Sequence, residues 1–90
     1  MTKTELIAKM SEEIATLVIH KEVAMKDVHS AEGKEARLTA EYNFDIARAK
    51  LDEAGYIADN VLLLDMKKMN QAIDKLLQEH LTKYGAYTLV

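Results

Sequence analysis

Residues 34–58, KEARLTAEYNFDIARAKLDEAGYIA, carry small or apolar side chains at Ala40, Phe44, Ala47, Leu51, Ala54 and Ala58. The steps between them alternate four and three, the spacing that keeps a row on one side of a helix as a heptad seam. A second row, Leu38, Tyr42, Ile46 and Ala49, runs beside the first. A helix that is apolar over that much of its circumference meets neighbours on two sides. The alanines of the seam let two helix axes approach closely. Leu38, Ala40, Phe44, Ala47, Leu51, Ala54 and Ala58 are therefore read as a self-association surface.

The flanking segments have the same period. Upstream, Thr2 stands three residues before Glu5, the spacing of a capping box. Ile7, Met10, Ile14, Leu17, Ala24 and Val28 then form a helical stripe, which fades at His29–Gly33. Downstream, Leu62, Met66, Met69, Ile73, Leu76 and His80 again step by four and three. Gly85 follows Tyr84 where a helix C-terminus favours a left-handed residue. There is no proline, and Gly33, Gly55 and Gly85 are the natural punctuation. These signals predict helices over about 3–29, 34–54 and 60–84. Asp59 or Asn60 would cap the third, or the last two would run continuously through Gly55. Residues 1–84 read as a single helical domain and 85–90 as a short apolar tail. The expected class is all-α: a helical hairpin or three-helix bundle with coiled-coil-like seams, assembled as an oligomer.

Size supports the oligomer. Ninety residues make one domain that buries only roughly 60–65% of the surface its unfolded chain exposes. Such small scaffolds usually need a staple. With no cysteine, neither a disulfide nor a thiolate metal site can serve, and a reducing compartment is suitable. Self-association is the staple that remains.

Composition narrows the function. Twelve basic residues face fifteen acidic ones, and the longest basic run is Lys67-Lys68. Direct nucleic-acid binding needs clustered Lys and Arg to displace counterions, so no nucleic-acid partner is expected. No secretory leader is visible at the N-terminus. The apolar run Val61–Leu64 is far too short to span a bilayer. The expected location is the cytoplasm, away from the membrane.

Helical chemistry can be checked by spacing. Di-iron bundles need Glu-x-x-His, but Leu17, Lys26 and Leu77 stand three residues before His20, His29 and His80. No two histidines are four apart, as a zincin helix requires. The chain resembles all-α nucleotide pyrophosphohydrolases in size and class, and Glu32-Gly33-Lys34-Glu35 matches the first half of their magnesium signature. The second half, Glu-x-x-Asp, is missing, so the resemblance is set aside. There is no Gly-rich phosphate loop, and Ser11 and Ser30 lie in no nucleophile motif. The sequence predicts no catalytic residues, no metal and no cofactor.

Binding features remain. Asp45, Asp52 and Asp59 repeat every seven residues, with Glu41 one turn before Asp45. On a continuous helix they form one acidic ridge, read as a partner-binding strip. The plainer reading is a solvated face with i,i+4 pairs Arg37–Glu41 and Arg48–Asp52. Thr88-Leu89-Val90 fits a Thr-x-apolar strand-addition pattern, although a tail folded onto its own bundle, or swapped onto a neighbour, is the simpler reading. Together these features predict a non-enzymatic protein–protein interaction module that pairs with itself and with another protein. It would act as a small regulator or inhibitor of a larger machine. A structural coiled-coil scaffold or assembly component is the alternative, with a small helical enzyme or ligand-binding bundle behind it.

Overall fold

The computed structural model describes residues 1–90 and contains three helices and no strand: α1 (Lys3–Ser30), α2 (Lys34–Tyr56) and α3 (Met66–Tyr84). The protein is an all-α three-helix bundle built on a hairpin.

α1 starts as its sequence dictates. The Glu5 N–H donates to Thr2 Oγ1 at 3.1 Å, and the Thr2 N–H donates to Glu5 Oε1 at 3.4 Å. This reciprocal pair satisfies two otherwise orphaned donors. At the other end the Ser30 hydroxyl donates to the Lys26 carbonyl at 2.9 Å, and Ala31 turns extended. Gly33 then adopts φ +88°, a region that side chains disfavour, and α2 begins.

α2 passes straight through Gly55 and ends differently from either expected course. Its last turn widens into a π-helical turn, Ile57–Val61, so Asp59 and Asn60 lie inside helical structure and cap nothing. The Leu62 N–H donates to the Ile57 carbonyl at 2.8 Å, and the Leu64 N–H to the Ala58 carbonyl at 2.9 Å. Between them Leu63 takes a left-handed φ of +52°. That reversal turns Leu64 inward, where it is buried beside Ala58, and leaves Leu63 69% exposed. α3 starts only afterwards. Asp65 Oδ1 accepts from the N–H groups of Lys67 and Lys68 at 3.1 and 3.2 Å. Gly85 closes α3 in the left-handed region, its N–H donating to the Leu81 carbonyl at 2.8 Å.

α1 lies between the other two helices, which have few direct contacts with each other. The main core joins Ile14 and Ala15 of α1, Ala58 and Leu64 of the elbow, and Met69 and Ile73 of α3. Met69 is fully buried. Toward the hairpin turn, Ala24, Ala40 and Ala47 are buried. Only 10 of 90 residues are buried, so most apolar side chains are half covered and the core is thin. The Ser11 hydroxyl is buried with no hydrogen-bond partner, a cost of about 1–3 kcal/mol.

The elbow generates two predictions. Asp65→Ala should destabilise the protein by about 1 kcal/mol through loss of a cap, while Asp59→Ala should have no measurable effect; urea midpoints of the two variants check this. Leu63→Gly should raise stability by about 1 kcal/mol, because a branched residue at left-handed φ is strained. Thermal melts of that variant read the gain.

Candidate interaction surface

The alanine seam of α2 is consumed within the chain. Ala40, Ala47 and Ala58 are buried, and Phe44, Leu51 and Ala54 are half-buried. Leu51 and Ala54 pack against the core formed with α1 and α3. Of the seven residues read as a self-association surface, only Leu38 is exposed, at 54%. The other six are buried or half-buried within the chain itself.

What α2 offers outward is a neighbouring strip: Leu38, Tyr42, Asp45, Ala49, Asp52 and Tyr56, again spaced four and three. All six are exposed, with Tyr42 at 65% and Tyr56 at 64%. Two tyrosines and a leucine there hold much of their apolar surface in water. Beyond the strip, Val61 and Leu63 of the elbow are exposed as well.

The predicted acidic residues fall on or beside this strip. Glu41 is half-buried and accepts from Arg37 Nε at 3.1 Å. That is the one ion pair within 4.0 Å, and the anticipated Arg48–Asp52 pair does not form. An exposed pair gains only tenths of a kcal/mol against the entropy of holding two side chains. Asp45, Asp52 and Asp59 are exposed without an ion-pair partner. The row therefore mixes aromatic surface with free carboxylates.

Tyr42, Ala49 and Tyr56 had a signal in the sequence, since they share the heptad spacing of Leu38. The second apolar row of the sequence includes Ile46, which instead sits half-buried at the rim of a groove between α1 and α2. Leu63 had none, because its backbone reversal depends on the π-helical turn.

Elsewhere the polar side chains are dispersed. No group of three or more His, Asp or Glu side chains converges as a metal site would require. His20 and His29 are exposed, and His80 is half-buried, its Nε2 accepting from the Thr88 N–H at 3.2 Å. No helix is long and apolar enough to cross a membrane. No family model matches the chain, and no curated protein or solved structure matches it.

Proposed function

We propose that this chain is a non-enzymatic protein–protein interaction module, a small regulator or inhibitor of a larger macromolecular machine, working as an oligomer in the cytoplasm. One observation carries the reading: the outer strip of α2 holds Leu38, Tyr42 and Tyr56 in solvent beside the unpaired Asp45 and Asp52. Exposed aromatic surface interleaved with free carboxylates suits a partner that presents apolar pockets rimmed by Lys or Arg. The thin core supports association in a second way. A chain with so many half-covered apolar side chains gains stability from any further burial, at roughly 25 cal/mol per Å².

The reading also makes sense of Leu63. A leucine at left-handed φ, exposed to water, weakens the monomer where glycine would serve. Strain of this kind is retained where another role requires the side chain.

The test pairs mass with capture. Light scattering of the full chain across a dilution series should give a dimer or larger species. The tagged chain should retain a defined protein from its native cells, and Tyr42→Ala/Tyr56→Ala should cut that retention at least tenfold with an unchanged helical melting curve. A monodisperse monomer that retains nothing overturns the proposal. Filamentous self-assembly without a foreign partner would replace it with the scaffold reading.

A further inference from the structure

Within the six residues after α3, a central stretch packs back on the bundle. Gly85, at φ +76°, redirects the chain so that residues 86–88 are half-buried. From α1, Lys26 Nζ approaches the Tyr87 carbonyl at 3.5 Å. One residue on, the Thr88 N–H donates to His80 Nε2 at 3.2 Å, and the His80 and Tyr87 rings stack with centroids 6.2 Å apart. Leu89 then reaches the groove between α1 and α2, whose apolar wall is Leu17, Val23 and Ala24 on one side and Ile46 and Ala47 on the other. The tail thus crosses α1 from the α3 side to the α2 side, held by few contacts. Leu89 itself remains 60% exposed.

We propose that residues 86–89 are a strap, latched by neutral His80, which seats Leu89 at the α1–α2 groove and releases it when His80 gains a proton. The hydrogen bond makes the latch conditional. Nε2 accepts only in the neutral ring with its proton on Nδ1; the imidazolium has a donor on both nitrogens and no acceptor. Protonation therefore sets an N–H of the ring against the N–H of Thr88, and the bond becomes a donor–donor clash.

The surroundings of His80 include groups of both signs. On α3 the Tyr84 ring lies 4.7 Å from the imidazole, Lys83 sits over that tyrosine at 5.2 Å, and Glu79 is the preceding residue. From α1, Glu12 and Thr16 line the same cleft as His80, and Lys26 reaches the tail. At the far end of the strap, His20, Asp27 and Lys50 border the groove that Leu89 enters. His20 is the other histidine able to make the strap depend on pH, and the test must separate the two. Opening the strap would withdraw Leu89 from the groove, a surface distinct from the outer strip of α2.

The experiment is NMR on the full chain alone, so its outcome is independent of any partner. Between about pH 8 and about pH 5, the range in which histidines titrate, contacts from the Leu89 methyls to the side chains lining the groove should disappear. Their midpoint should match that of the His80 ring protons and not that of His20. Protection of the Thr88 amide should fall at least tenfold over the same range. His80→Phe, which keeps a ring but offers no acceptor, should leave the tail detached at every pH with its helical content unchanged. A tail that stays in the groove while His80 titrates overturns the proposal. So does release that follows His20 or a carboxylate, or an attached tail in His80→Phe.

Discussion

Close packing of α2 on α1 through alanine is the constraint on which the other features rest. Ala24, Ala40, Ala47 and Ala58 are all buried, and side chains of that size let the axes approach closely. With its seam filled by α1, α2 has a defined outside. With the hairpin fixed, α1 presents its remaining apolar side to α3, and Ile14 and Ala15 meet Met69 and Ile73 there. α1 serves two neighbours that have few contacts with each other. This arrangement accounts for the thin core: each outer helix covers one side of α1 and leaves most of its own circumference in water.

The elbow reconciles that packing with the chain's path. α2 must hand over to α3 across the end of α1, and four apolar residues, Val61–Leu64, lie at the crossing. The π-helical turn and the left-handed Leu63 divide them, so that Leu64 enters the core while Val61 and Leu63 remain outside. Backbone strain at Leu63 is offset by burial of Leu64. The helix itself continues past Gly55, where a side chain would also fit, because about 1 kcal/mol relative to alanine is too little to break it.

Much of this was legible in the residues. The Thr2–Glu5 capping box, the stripes of α1 and α3, and the left-handed Gly85 follow from local spacing, and local spacing is what a sequence states directly. The seam of α2 was legible as a seam, but its partner was not. A heptad row specifies an apolar neighbour without saying whether it belongs to the same chain. The start of α3 was misplaced at Asp59 or Asn60 because those residues have cap chemistry, and the π-helical turn that carries the helix past them depends on where Leu64 must be buried. The outer strip is half legible: Leu38, Tyr42 and Ala49 stand in the second apolar row, while Tyr56 lies outside it because that row runs through Ile46. Of the acidic row, Glu41, Asp45 and Asp52 lie on α2 and Asp59 lies in the π-helical turn, and spacing does not encode which of the i,i+4 pairs closes.

The claim that α2 turns its alanine seam toward α1 and its tyrosine strip toward solvent can be tested at two alanines two residues apart, Ala47 and Ala49. Urea unfolding of Ala47→Leu and Ala49→Leu measures it most directly. Ala47 is buried in the seam, so the larger side chain should overpack the interface and lower stability by about 1–3 kcal/mol. Ala49 is exposed on the strip, so leucine there should change stability by less than about 0.5 kcal/mol. The reverse order, with Ala47→Leu tolerated and Ala49→Leu destabilising, would mean that α2 faces the other way and would contradict the account.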